Sequence, residues 1–99
     1  MSEVSNVLNH AADILERDGW IQGAMYNRDG CRCALGALHS ASRELGYDRE
    51  PVWDACTLIG PRLSDAGYTA WDLPGWNDED GRTITEVTTL FRNAAKAAA

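Results

Sequence analysis

A capping box near the end of the chain constrains the fold most strongly. Thr83 is followed three residues later by Glu86, a spacing that lets each side chain satisfy a backbone N–H of the other at the start of a helix. An acidic turn over residues 77–81, closed by Gly81 and preceded by Trp76, leads into this box. The sequence therefore predicts a helix with Thr83 at its N-cap and a cluster of carboxylates beside its first turn.

Three further segments repeat apolar residues with the spacing of an amphipathic helix. They predict helices over residues 3–18 and 33–45, and a third helix with Pro51 in its first turn. The pair Gly60-Pro61 is expected to kink or end the third helix, because proline cannot donate the helical hydrogen bond.

Gly36 lies inside the second predicted helix. Glycine costs about 1 kcal/mol relative to alanine in a helix interior. We therefore expect a neighbouring element, such as one of the tryptophans, to approach the helix closely at this position.

Two connections complete the predicted architecture. Residues 20–26 fit either a short strand or an ordered loop, and residues 64–82 form the longest irregular stretch. Since the latter contains Trp71 and Trp76, we expect it to pack against the helices. The prediction is a mainly α fold, a compact four-helix single domain over residues 1–99 with a short extended segment or small hairpin and a long packed loop.

The net charge of −6, from nine Lys/Arg and fifteen Asp/Glu, limits the classes of partner. No basic patch is available to displace counterions from DNA or RNA, so direct nucleic-acid binding is not expected. The charge is ordinary for solubility, and an acidic face that meets a basic protein surface is the alternative. The turn over residues 77–81 lacks the full spacing of a calcium loop, and we expect Asx turns there.

The N-terminal residues and the cysteine count bear on the compartment. Residues 1–5 contain neither the basic nor the apolar region of a secretory signal, and no apolar run approaches the ~20 residues of a membrane span. Three cysteines is an odd number, which is simplest to explain by free thiols in a reducing compartment. The prediction is a cytoplasmic protein with no membrane partner.

The cysteines offer one alternative involving a metal. Cys31, Cys33 and Cys56, joined by His10 or His39, supply the ligand types of a tetrahedral zinc site. The Cys-x-Cys spacing does not match the cysteine pairs of structural zinc sites, and the ligands come from different elements. We therefore expect no metal and no cofactor, and keep the three cysteines as the alternative.

A second alternative is a nucleophilic Cys33 at the start of the second predicted helix, a position that favours reactive thiolates in other proteins. Such an enzyme also needs a base within reach. His39 lies six residues further along the same helix and points away, whereas His10 reaches Cys33 only through tertiary packing. The alternative function is a small-molecule-binding or cysteine-dependent enzyme with a pocket at Trp20 and Trp76.

Polar and aromatic residues form the leading candidate site. Trp and Arg are favoured binding anchors, and Trp beside Asn or Gln can frame a pocket. The competing interpretation is core packing in which each indole N–H is satisfied by a loop carbonyl. The candidate binding residues are Trp20, Gln22, Trp71, Trp76, Asn77, Asp78 and Arg82.

Three phrases carry a family resemblance. They are GWIQGA at residues 19–24, CALGAL at residues 33–38, and Trp76-Asn77-Asp78 followed by Arg82-Thr83 and Glu86-Val87. With these phrases the chain resembles a group of small uncharacterised proteins from actinobacteria and their bacteriophages. The resemblance implies a bacterial or phage origin and an accessory protein that acts on a host partner, and it implies no activity.

The sequence as a whole predicts a small acidic accessory protein that binds a protein partner without catalysis. The expected contact surface is the segment 64–82 together with Trp20 and Gln22. A structural subunit of a larger assembly is a third interpretation.

Overall fold

Helices make up most of the structure, a computed structural model that describes residues 2–99. They are α1 (Glu3–Asp18), α2 (Ala34–Glu44), α3 (Glu50–Asp65), α4 (Leu73–Asn77) and α5 (Ile84–Ala98). The predicted mainly α class is confirmed, and the four predicted helices correspond to the four long ones. The short α4 lies inside the segment 64–82, which was predicted to be irregular throughout.

The core is built around α1, which packs against α5, α2 and α3. One face of α1 is fully buried, as the 3.6-residue period of its apolar side chains predicts. Burial of each such side chain stabilises the fold by about 1.5–3 kcal/mol relative to exposure. The fully buried apolar side chains of α1 and its neighbours include Val7, Leu8, Ile14, Leu15, Leu38, Ile59, Val87 and Phe91.

The capping box of α5 forms as predicted. The Thr83 hydroxyl accepts a hydrogen bond from the Glu86 backbone N–H at 3.2 Å, and the Glu86 carboxylate accepts one from the Thr83 N–H at 3.0 Å. Helix α1 ends at Gly19, whose φ of +103° is rarely adopted by other residues. A Cβ at Gly19 would also lie only 2.7 Å from the Sγ of Cys31. Both the positive φ and the lack of space therefore favour glycine at this position.

Helix α3 continues through Gly60-Pro61 to Asp65, so the helix does not end at this pair, and the kink that was the other expected outcome stays a prediction. Gly60 serves packing instead. A Cβ at Gly60 would lie 3.2 Å from both the Cβ and the carbonyl oxygen of Ala70, so the missing side chain lets the loop before α4 rest on the helix. The close contact with Ala70 therefore accounts for a glycine at position 60.

Residues 20–26 form an ordered loop, and the described residues contain no strand. The extended character is limited to two isolated β-bridges, which pair Trp20 and Tyr26 with Arg32. The loop also explains Gly36, because a Cβ there would lie 2.5 Å from the carbonyl oxygen of Met25. The predicted close approach at Gly36 is confirmed, but the neighbour is this backbone carbonyl and not a tryptophan.

Candidate functional site

One buried amide joins several of the candidate residues. Asn77, at the end of α4, is fully buried. Its Oδ1 accepts hydrogen bonds from the indole Nε1–H of Trp20 at 2.7 Å and from the backbone N–H of Ala34 at 2.9 Å. Its Nδ2 donates to the carbonyl of Ile21 at 3.2 Å and to the carboxylate of Asp78 at 2.9 Å. All four hydrogen-bonding positions of the amide are occupied, so none is left for a ligand.

Gln22 and Asp78 fasten the loop after α1 to the turn after α4. The Gln22 side-chain amide donates to the carbonyl oxygens of Asn77 at 3.0 Å and Glu79 at 2.8 Å. In the opposite direction, the Asp78 carboxylate accepts the backbone N–H of Gly23 at 3.0 Å. The two connections are therefore held together by polar contacts made from both sides.

Trp76 and Arg82 also contact each other. Trp76 is only 7% exposed, and the Arg82 guanidinium carbon lies 4.1 Å from its ring centroid. The same guanidinium donates to the Trp76 carbonyl at 2.9 Å and to the Glu86 carboxylate at 2.9 Å. A cation–π contact of this kind contributes about 0.5–2 kcal/mol. Both anchors are thus engaged within the fold.

Six of the seven candidate residues accordingly form one set of internal contacts. Their polar groups contact one another and backbone groups, and the indole N–H of Trp20 donates to the Asn77 side chain where the competing interpretation expects a loop carbonyl. We call this set the Asn77 network. Its members are Trp20, Gln22, Trp76, Asn77, Asp78 and Arg82.

Trp71, the seventh candidate, lies apart from this network and contacts a residue that the sequence analysis did not select. Its ring meets that of Trp53 edge to face, with centroids 5.5 Å apart and an interplanar angle of 65°. Trp71 is 58% exposed and Trp53 is 62% exposed. Among the described residues, no other large apolar side chain is exposed to this degree.

The two tryptophans border a cavity of about 470 Å³ between α2, α3 and the loop before α4. We call this cavity the aromatic groove. Apolar side chains form most of its lining, with His39 and Arg49 at its polar side. The lining residues are Leu35, His39, Arg49, Val52, Trp53, Cys56 and Trp71.

A second cavity, of about 640 Å³, shares His39, Arg49 and Val52 with the aromatic groove. We call it the cationic cavity, because Arg43 joins Arg49 in its lining and neither arginine forms an ion pair with any described residue. Partial burial lowers the pKa of His39, and the two arginines lower it further. Asp48 is the one carboxylate in the lining.

Cys33 is a buried residue that caps the start of α2. It is the N-cap of α2, its Sγ accepts the Gly36 backbone N–H at 3.3 Å, and it is 5% exposed. It lines a small cavity of about 190 Å³ into which neither histidine projects, within residues 2–99. His10 instead pairs with Glu44 at 2.9 Å, and His39 borders the groove. In the described part of the chain, neither histidine therefore joins Cys33, and the one carboxylate in the lining of its cavity is that of Asp78, which already accepts the Gly23 N–H and the Asn77 amide.

The cysteines of the zinc alternative are not brought together. Cys31 lies beside Gly19, Cys33 caps α2, and Cys56 lines the aromatic groove, where burial raises the pKa of its thiol. All three are free thiols. Over residues 2–99, no group of three His, Cys, Asp or Glu side chains is placed to hold a metal ion.

A family model described as "Family of unknown function (DUF6197)" matches residues 1–97. The chain belongs to this family. The match agrees with the resemblance to uncharacterised proteins noted above, and membership of DUF6197 assigns no activity. No curated protein and no solved structure matches the chain. In the part of this DUF6197 protein that the structure describes, every helix is too short or too polar to cross a membrane.

Trp53 was missed although the sequence holds a signal for it. The core face of α3 is set by Val52, Ala55, Ile59 and Leu63, all of which are buried. Trp53 lies about 100° around the helix from Val52, outside that face. A large aromatic residue outside the apolar stripe of an amphipathic helix predicts an exposed ring. Its contact with Trp71, in contrast, depends on how the loop packs.

Proposed function

We propose that this protein works by binding a protein partner through the aromatic groove, without catalysis. The observation that carries the proposal is the pair of adjacent tryptophans, Trp53 and Trp71, each more than half exposed at the border of a cavity. Exposed apolar patches of this kind mark interaction sites on soluble proteins. Tryptophan is also among the residues most enriched where binding energy concentrates.

The gain from covering this pair is substantial. An aromatic side chain has roughly 200 Å² to bury, so covering the exposed parts of both rings removes roughly 240 Å² from water. At about 25 cal/mol per Å², this favours a complex by about 6 kcal/mol before the costs of association. An interface centred on Trp53 and Trp71 would therefore have an anchor of useful strength.

The Asn77 network holds the end of α4, the helix that follows Trp71. Trp71 immediately precedes Asp72, whose carboxylate caps α4 by accepting the Gly75 N–H at 3.0 Å. The other end of α4 is held by Asn77, and Ala70 rests on Gly60 of α3. The backbone at Trp71 is thus fixed on both sides, which reduces the entropy lost when a partner binds.

The resemblance to actinobacterial and phage proteins adds context to the proposal. We infer a cytoplasmic accessory protein that modulates a host protein. The net charge of −6 is compatible with such a role, since it keeps a small protein soluble until its partner is bound.

The test is quantitative affinity capture from cells that produce the protein. The wild type is compared with a Trp53→Ala/Trp71→Ala variant and with Leu58→Ala as the matched control. Leu58 is also on α3 and is 37% exposed, but lines neither cavity. Because all three side chains are exposed, we expect every variant to fold, which circular dichroism checks.

The proposal predicts a protein that the wild type and Leu58→Ala enrich equally, and that the double variant loses. At least a hundredfold weaker binding is expected, because each tryptophan at a binding centre contributes about 2 kcal/mol or more. Equal capture by the double variant would overturn the proposal. So would enrichment of nothing except untagged copies of the same chain.

A further inference from the structure

We infer that the groove recognises a partner segment in which an aromatic or large aliphatic side chain lies next to carboxylates. The inference rests on the proposed function and specifies the chemistry of the partner. It follows from two neighbouring surfaces, one apolar and one cationic, that share part of their lining.

The aromatic groove and the cationic cavity lie next to each other. His39, Arg49 and Val52 line both, so a bound segment can occupy the two together. The apolar end offers the rings of Trp53 and Trp71, which favour an aromatic or aliphatic side chain by burial of apolar area. A volume of about 470 Å³ lies within the range of cavities that bind small molecules, and is ample for a side chain.

The two arginines of the cationic cavity have no ion pair within residues 2–99. In residues 2–99 four arginines are paired with carboxylates, namely Arg17, Arg32, Arg82 and Arg92. Arg43 and Arg49 are not paired with any described residue, although acidic residues outnumber basic ones by fifteen to nine. Two free guanidinium groups at one cavity of an acidic protein are complementary to a negatively charged ligand.

Local carboxylates do not cancel this charge. Asp48 lines the cationic cavity, and one of its carboxylate oxygens accepts the Glu50 backbone N–H at 3.1 Å. Two arginines against one aspartate leave a net positive lining. Glu44, which follows Arg43 at the end of α2, is already paired with Arg17.

Arginine also selects the shape of the anion. A planar guanidinium donates two parallel hydrogen bonds to a carboxylate, which a lysine cannot do. His39 lies between the two surfaces, and the lowered pKa of His39 keeps its ring neutral at pH 7. Positive charge in the cavity therefore comes from Arg43 and Arg49, and the neutral ring is free to donate or accept one hydrogen bond.

The test is selection of a random peptide library displayed on phage against the full immobilised chain. Enriched peptides are synthesised, and their Kd values are measured for the wild type and three variants. These are Trp53→Ala/Trp71→Ala, Arg43→Gln/Arg49→Gln, and Arg28→Gln as the matched control. Arg28 is exposed and, within the described residues, has no ion pair and lines neither cavity.

We expect peptides in which Asp or Glu lies beside Trp, Phe or Leu. Their binding should be lost with the tryptophan variant, weakened about tenfold by Arg43→Gln/Arg49→Gln, and unchanged by Arg28→Gln. Tenfold is the effect of two exposed ion pairs that together contribute about 1.4 kcal/mol. Higher salt should weaken the wild-type complex and leave the Arg43→Gln/Arg49→Gln complex nearly unaffected.

Other results separate this inference from the proposed function. Peptides that require the tryptophans but contain no carboxylates, or that ignore the two arginine substitutions, overturn the inference and leave the groove as the binding site. Peptides that bind the tryptophan variant as well as the wild type contradict the groove itself. A library that yields no groove-dependent peptide contradicts both.

Discussion

Replacement of Asn77 by alanine tests the structural role of the Asn77 network. The substitution removes four hydrogen bonds at a fully buried position. A hydrogen bond contributes about 1 kcal/mol net, so the expected loss in the free energy of unfolding is about 4 kcal/mol. Small domains have only about 5–15 kcal/mol in total, so Asn77→Ala should be close to the limit of folding.

The groups left behind explain the size of this loss. The indole N–H of Trp20 and the backbone N–H of Ala34 lose their acceptor, and the carbonyl of Ile21 loses its donor. Ala34 is the first residue of α2, so the Asn77 oxygen satisfies one of the free N–H groups at that helix start. Unsatisfied buried groups cost more than the bonds themselves contribute.

Urea unfolding followed by circular dichroism measures the effect. Asn93→Ala is the control, because Asn93 is an exposed residue of α5, and we expect a change of less than about 0.5 kcal/mol there. If Asn77→Ala lowers the free energy of unfolding by less than about 1 kcal/mol, the prediction is wrong, because water then replaces the four hydrogen bonds without cost.

Asn77→Asp separates the donor side of the amide from the acceptor side. When ionised, the introduced carboxylate still accepts from Trp20 and Ala34 but cannot donate to Ile21, and it lies beside the Asp78 carboxylate. Burial and this like charge raise its pKa in the folded state above the unfolded value. Relative to the wild type, the variant should therefore lose less stability at pH 4 than at pH 7, and an equal loss at both values would contradict the geometry.

Three shorter predictions concern other parts of the chain. Gly36→Ala should destabilise the fold by about 1–3 kcal/mol in thermal unfolding, because the added Cβ would meet the Met25 carbonyl oxygen. This clash should exceed the gain from the better helix propensity of alanine, and a stabilised variant would contradict the prediction. Cys33 should react with iodoacetamide more slowly than the other two thiols, since it is buried and caps α2, and rapid labelling at pH 6 would revive the enzyme alternative. A hydrogen bond from Arg17 holds the pKa of Asp18 at about 2, below its ordinary 3.8. The stability that Asp18 contributes is therefore present above about pH 4 and is lost as the pH falls towards 2. Asp18→Asn should flatten that part of the curve of stability against pH.

Local sequence signals predicted the helices well. The spacing of Thr83 and Glu86 fixes the start of α5, and the apolar stripe of α1 fixes which face is buried. Both depend on residues within a few positions of one another. The role of Gly60 could not be predicted in the same way, because its contact with Ala70 joins α3 to the loop before α4.

The candidate site shows the same limit. The sequence selected Trp20 and Asn77 as notable residues, but could not show that each is the hydrogen-bonding partner of the other, 57 positions apart. Only when such partners are known can an engaged polar group be distinguished from one that is free to bind. Trp71 was selected and its contact Trp53 was not, because their meeting depends on the packing of the loop before α4.

Photo-crosslinking from position 53 tests whether a partner protein binds in the aromatic groove. Trp53 is replaced by benzoylphenylalanine in the producing cells, which keeps a large aromatic side chain at this position and leaves Trp71 in place. Leu58, exposed on the same helix outside both cavities, is replaced in a parallel control. If a partner protein binds in the aromatic groove, light joins the protein to one distinct partner from position 53 and not from position 58. Equal crosslinking from both positions, or none from position 53, would contradict it.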